Sequence, residues 1–386
     1  MATAPSSPSN NGALREVAAV FLKLGVIGFG GPAAHIAMMR DEVVRRRRWI
    51  DDARFLDLLG MTNLIPGPNS TEMAIHLGYV RAGWPGLALG GVCFIVPAMT
   101  LVLVLAWAYV AHGARPEASA VLYGIKPVII AVVIQAAWAL ARTAVKSVLL
   151  ATLGVVTVAL YLLGAHELLL LLGGGGIVAL ARRLRGAGVS PLVLLTASAT
   201  GPAMGGVGAA VSLTTLCLTF LKIGAVLYGS GYVLLAFLRN DFVERLAWLT
   251  DRQLLDAVAI GQFTPGPVFT TATFIGYVVA GWTGGVLATV AIFLPSFVFV
   301  ALSQPLVPKI RASTTAAAFL DGVNVAALGL MVAVTWQLGR AAIVDIPTAL
   351  LATGAAVALV VLRVNSAWLV AGGAILGVVI AALGRG

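Results

Sequence analysis

Residues 86–111 read GLALGGVCFIVPAMTLVLVLAWAYVA, without one charged side chain. About 20 such residues in a helix cross the hydrocarbon core of a bilayer, and comparable apolar runs recur along the whole chain. In lipid every backbone N–H and C=O must find a partner inside the protein, which a helix supplies segment by segment. Composition agrees: 60% of the 386 residues are hydrophobic and 10% charged, against about 25% charged in a soluble domain. The chain is expected to be an all-α polytopic membrane protein.

Two of these runs interrupt themselves. LIPGPNSTEMAIHLGY (64–79) and FTPGPVFTTATFIGY (263–277) each place Pro-Gly-Pro in apolar surroundings. They belong to a longer internal repeat. FLKLGVIGFGG from Phe21 matches FLKIGAVLYGS from Phe220, and the register holds through Arg40/Arg239, Trp49/Trp248, Asp52/Asp251 and Asp57/Asp256 to the two triplets. One residue is then lost, and matching resumes at Gly78/Gly276, Trp84/Trp282 and Pro97/Pro295, reaching Gly124/Gly322, Trp138/Trp336 and Arg142/Arg340. The expected organisation is a disordered tail (1–13), an N-terminal transmembrane repeat (14–190), a linker (191–204) and a C-terminal transmembrane repeat (205–386). The tail has neither the basic nor the apolar region of a signal peptide.

Each repeat opens with a glycine-interrupted segment (Ala18–Met39; Ala209–Leu238) and then the segment broken at Pro-Gly-Pro (Phe55–Val80; Leu254–Ala280). Four spans follow, at 86–111, 121–140, 147–163 and 167–181, and again at 283–306, 315–338, 347–362 and 367–383. The run Arg45-Arg46-Arg47-Arg48 belongs on the cytoplasmic side, with Arg182, Arg183 and Arg185. A re-entrant Phe55–Val80 puts Arg81, Arg142 and Lys146 there too; a spanning one sends the Arg182 cluster outside. In the second repeat the matching loop, RNDFVERLAWLTDR, holds three basic and three acidic residues, while Lys309, Arg311 and Arg363 favour the opposite threading. The charges predict two inverted-topology repeats with discontinuous, re-entrant helices, a construction used by transporters.

Proline withdraws a donor, glycine lets the chain turn, and the residues beyond begin a new half-helix. A half-helix start inside a membrane presents free N–H groups and about half a positive charge, which suits an anion. The candidate site therefore takes Pro66, Gly67, Pro68, Asn69, Ser70 and Thr71 from the first break and Pro265, Gly266, Pro267, Thr270 and Thr271 from the second. Asn63 and Gln262 are matched amides just before them. Gly30, Gly31, Gly229 and Ser230 come from the glycine interruptions, with His35 beside the first. The candidate cations are Lys23 and Lys222, at matched places, and Lys126, whose counterpart is Asn324. Against each stands a bland alternative: a packed hairpin, a snorkelling lysine, a core histidine. Glu72, replaced by Thr271 in the second copy, is the candidate for proton coupling. Asp57 and Asp256 are read as interfacial.

No GxxxxGK[ST], HExxH or GxSxG motif is present, and Cys93 and Cys217 stand alone. No cofactor, metal or nucleic-acid partner is expected, nor enzymatic activity; the lipid bilayer is the expected surrounding, and a homodimer is left open.

FGGPAAHIAMM, PGPNSTEMAIHLGY, YGSGYVLLAF and TPGPVFTTATFIGY, in this order and in both halves, resemble the chromate transporter family in its long two-domain form. The resemblance implies a protein of a bacterial or archaeal inner membrane that exports chromate and confers resistance to it. It also implies secondary transport driven by the proton or membrane gradient, with sulfate competing as a similar tetrahedral dianion. A sulfate or other oxyanion transporter, or an anion channel, is the alternative. The second copy lacks the Asn-Ser-Thr-Glu run, so the half-sites differ chemically.

Overall fold

Each half of the chain lays down the same succession of helices. The computed structural model describes residues 10–112, 116–186, 211–228, 233–311, 314–362 and 364–383. The first half contains α1 (Asn10–Ile27), α2 (Gly31–Arg40), α3 (Asp52–Thr62), α4 (Asn69–His112), α5 (Pro116–Ala144), α6 (Val148–Leu162) and α7 (Glu167–Gly186). The second contains α8 (Leu213–Val226), α9 (Leu234–Leu238), α10 (Asp251–Phe263), α11 (Thr271–Arg311), α12 (Thr314–Ala342), α13 (Ile346–Val360) and α14 (Ser366–Leu383). No strand occurs among the described residues, and five helical stretches there are long and apolar enough to cross a membrane. The expected linker (191–204), Gly229 and Ser230 lie outside the described residues; α1 begins at Asn10, inside the stretch expected as tail.

Helix starts carry their own caps, which satisfies donors that lipid would leave bare. Asp51 accepts from the Arg54 N–H at 2.7 Å. Thr250 with Gln253, and Asp345 with Thr348, form reciprocal capping boxes. Between the second and third helices of each repeat the chain widens into a π-helical turn, Asp41–Arg46 and Arg239–Arg245. That turn buries Glu42 and Asp241, a feature no local sequence signal announced.

The fourth helix of each repeat folds back on itself. Ala82 and Gly83 leave helical geometry, with Gly83 at φ +63°, and Ala280 and Gly281 repeat the kink, with Gly281 at φ +64°. The two arms touch backbone to backbone: a Cβ on Gly78 would run into the Gly86 carbonyl and lie 3.3 Å from the Gly90 Cα. Only glycine permits this approach. Arg81, at the end of the first arm, pairs with Glu16 at 2.6 Å and stacks 5.5 Å from the Trp49 ring. The arm therefore returns to the face that carries the arginine run, which is the re-entrant threading. The long second arm then leads α5 back, so that Arg142 and Lys146 reach that same face.

Contacts between repeats run head to tail. Gly91 of α4 lies against Phe297 of α11, and Leu103 of α4 against Gly285 of α11. Lys146, past the end of α5, pairs with Asp321 near the start of α12 at 2.7 Å. Tyr123, near the start of α5, donates to Asp345 beyond α12 at 2.7 Å. Both helix pairs are antiparallel, as inversion requires. The last helices swap: Gly373 and Gly377 of α14 pack on Gly124 of α5, and Gly174 and Gly175 of α7 on Gly322 of α12. The two halves thus interlock about a pseudo-two-fold axis in the membrane plane.

Candidate functional site

The two Pro-Gly-Pro loops are tied to each other's repeat. Gly67, at φ +136°, donates its N–H to the Leu227 carbonyl at 2.8 Å; Gly266, at φ +90°, donates to the Gly28 carbonyl, also at 2.8 Å. Gly28 and Leu227 are matched positions at the glycine interruptions. Each break therefore satisfies its glycine amide with a carbonyl that the other repeat's interruption has freed. These two amides are engaged by protein.

Beyond the breaks the copies differ. In the first, the Thr71 and Glu72 N–H groups turn back to the Pro68 carbonyl (2.8 and 3.1 Å), and the Asn69 side-chain amide donates to Asn63 at 2.6 Å. In the second, a short 3-10 turn over Val268–Thr270 precedes α11. Its Thr270 and Thr271 hydroxyls donate to the Pro267 and Val268 carbonyls at 2.8 and 2.9 Å. Those hydroxyl protons are spent locally, so the second break offers less to an anion than the first.

A cavity of about 440 Å³ opens against the first break. Asn63, Pro68, Asn69 and Ser70 line one side; Val268 and Phe269, standing where the first copy has Asn69 and Ser70, close the end. Thr143 and Lys146 of the α5 terminus, with Asp321 and Asn324 of α12, complete it. Because the α5 terminus lies on the arginine-rich face, the cavity approaches the break from that face. Pro66, Gly67, Pro265, Gly266, Pro267, Thr270 and Thr271 are buried behind this surface and do not line it.

The three lysines expected near the breaks are each paired with a carboxylate. Lys23 pairs with Glu42 at 3.1 Å and Lys222 with Asp241 at 2.6 Å, the same contact in each repeat. Lys126 pairs with Asp256 at 2.8 Å. Burial alone would push the Glu42 carboxyl up, but hydrogen bonds from Arg47 and Lys23 outweigh it and hold the group below the usual carboxylate range. The cation that does border the cavity is Lys146, which the loop charges mark only for topology and which pairs there with Asp321 at 2.7 Å. Its loop position carries no sign of a site; only the inverted packing of α5 on α12 brings it there.

His35 is buried with its Nε2 2.8 Å from the Gly28 carbonyl and its ring edge-on to Phe94. It therefore braces the same carbonyl that receives the Gly266 amide. Gly30 and Gly31, both at positive φ, carry the chain through that bend, with Asn365 of the other repeat against Gly30. Glu72 is wholly buried beside Gly67, facing the Ser296 hydroxyl of α11, and neither its oxygens nor that hydroxyl has a hydrogen-bond partner among the described residues. Among those residues no cluster of His, Cys, Asp and Glu could hold a metal ion.

Comparison with known proteins agrees with this architecture. The sequence profile of the family described as Chromate transporter matches residues 15–180 and 214–378, one match per repeat. The chain is 36% identical to a "Chromate transport protein" of Cupriavidus metallidurans, over 95% of this chain and 93% of that protein. It is 33% identical to a "Probable chromate transport protein" of Synechococcus elongatus, over 88% of each. A "Chromate transport protein" of Pseudomonas aeruginosa is 32% identical over 86% of this chain and 83% of its own length. No solved structure matches the chain. A multi-pass helical protein that repeats its fold upside down, with both repeats matching one profile and full-length relatives above 30% identity, belongs to the chromate transporter family.

Proposed function

We propose that this chain is a secondary transporter, not an enzyme, that binds chromate in the cavity at the first break and exports it across a bacterial inner membrane, conferring resistance. The observation that carries the reading is the meeting of three things in one cavity: a half-helix start at Asn69 and Ser70, the matched segment of the other repeat, and the Lys146 ammonium, which an entering dianion would share with Asp321, 2.7 Å away. A helix start with a nearby cation suits a tetrahedral dianion. With the arginine run on the cytoplasmic side, the cavity loads from the cytoplasm. The membrane potential then favours exit by about 2.3 kcal/mol per charge per 100 mV.

Chromate uptake into inside-out vesicles, with voltage and pH gradient set separately, tests the reading. Saturable, voltage-sensitive uptake supports it; a rate linear in chromate indicates a channel. Sulfate outcompeting chromate at equal concentration points to the other oxyanion. Lys146→Gln is expected to raise KM for chromate about tenfold with kcat little changed, the signature of lost ground-state binding. An unchanged KM removes Lys146 from the site.

A further inference from the structure

We propose that Lys126 is a second contact for the transported oxyanion, covered in this structure by the Asp256 carboxylate, and that substrate replaces that carboxylate when the far face of the membrane opens. The proposal rests on reading the first-break cavity as the oxyanion site. Lys126 Nζ lies 2.8 Å from Asp256 Oδ1, with side chains 8% and 5% exposed. Asp256 Oδ2 accepts from the Tyr109 hydroxyl at 3.0 Å. Three elements meet here: α5 and the far end of α4 from the first repeat, and α10, the half-helix that leads into the second break.

The pseudo-two-fold counterparts behave differently. Asp57, the match of Asp256, is exposed on α3. Asn324, the match of Lys126, lines the open cavity. In an inverted repeat the axis exchanges the two membrane faces, so the conformation one repeat holds now is the one its partner takes when the opposite face is open. Applied here, Asp256 moves outward with α10 into the exposed setting that Asp57 occupies, and Lys126 is left lining a cavity at the second break. The inert side chains there, Val268 and Phe269, give an anion no donor of their own, so Lys126 supplies what the second break lacks.

Exchange also disciplines the cycle. Opening the far face parts Lys126 from Asp256 and breaks the Tyr109 hydrogen bond, and an empty site offers nothing to replace them, so without substrate the far face stays shut. A dianion arriving from the first break takes over the role of Asp256 and makes opening permissible. The charge asymmetry between the repeats, Lys126 against Asn324, thereby opposes leakage without substrate.

Two reporter cysteines in a Cys93→Ser, Cys217→Ser background test this in purified full-length protein, with a polar maleimide as label. Thr143→Cys reads the first-break cavity; Gln262→Cys, whose counterpart Asn63 lines that cavity, reads the far one. Saturating chromate is expected to slow labelling at Thr143→Cys about tenfold and to speed it at Gln262→Cys about fivefold. Asp256→Asn should make Gln262→Cys label fast without chromate. Should that variant fail to fold, the exchanged pair Lys126→Asp, Asp256→Lys keeps the contact and should leave Gln262→Cys slow with or without chromate. Protection at Thr143→Cys with no response at Gln262→Cys overturns the exchange and leaves the first-break site standing. No response at either reporter overturns both.

Discussion

Gly67→Val is expected to abolish chromate transport, with the uptake rate in vesicles falling at least about 100-fold. The backbone there sits at φ +136°, which a β-branched residue reaches only at a cost of about 1–3 kcal/mol. A Cβ at this point would collide with the Glu72 carboxylate and the Ser296 hydroxyl, both wholly buried. The Gly67 amide also reaches across to Leu227, so displacing the loop breaks the tie between repeats. Gly266→Val acts through the symmetric tie, with Ala98 at 2.7 Å as the obstacle and φ at +90°. Gly176→Ala, where an added Cβ meets nothing within 4 Å, serves as the control and is expected to keep full activity. Gly67→Val protein with half the normal rate would mean that the loop geometry is not required.

The second large effect separates structure from binding at the matched lysines. Lys222→Met is expected to destabilise the protein by about 2 kcal/mol, or about 2.5 °C in Tm for a chain of this length. The Asp241 carboxylate beneath it is fully buried and would keep Arg245, at 3.0 Å, as its ion-pair partner among the described residues. Removing both charges, as Lys222→Met with Asp241→Leu, is expected to recover part of that loss: an apolar pair has no desolvation penalty to offset, while buried Glu167, 3.8 Å from Lys222, still loses its nearby cation. Thermal unfolding monitored by intrinsic fluorescence reads both variants. KM for chromate per folded molecule should stay unchanged in the single variant. A KM raised tenfold at normal Tm would restore Lys222 to the substrate site.

Much of the fold was legible before any coordinates. The paired interruptions, the spans and the inversion follow from a self-matching sequence, helix-length apolar runs and a few loop arginines. Those signals act over one segment or along the whole chain. The parts that escaped depend on helices meeting. Lys23 and Lys222 stood out as intramembrane charges, but their partners, Glu42 and Asp241, reach them only because a π-helical turn rotates the carboxylates inward. Asp256, like Asp57, read as interfacial from its place in the half-helix before the break; its burial comes from the approach of α5 and Tyr109. Lys146 and Ser296 face the breaks through contacts between repeats, which no spacing within one repeat encodes.

At the candidate site the structure brings some of the expected residues together and keeps others apart. Asn63, Asn69 and Ser70 do meet in a cavity, with the matched positions of the second break at its end. The symmetric pair of anion-holding turns does not: the second break has spent its hydroxyl protons on its own carbonyls. The unequal half-sites that the missing Asn-Ser-Thr-Glu run implied thus acquire a physical basis. Two-fold symmetry builds the scaffold, while the departures from it at Glu72, Lys126 and Lys146 distinguish one face from the other.

Chromium scatters X-rays anomalously near its absorption edge, so crystals soaked in chromate locate the substrate without reference to any variant. A peak in the cavity bounded by Asn69, Ser70, Phe269 and Lys146 is the expected result. A peak beside Lys23 and Glu42, or no peak in that cavity at concentrations that saturate transport, would contradict it.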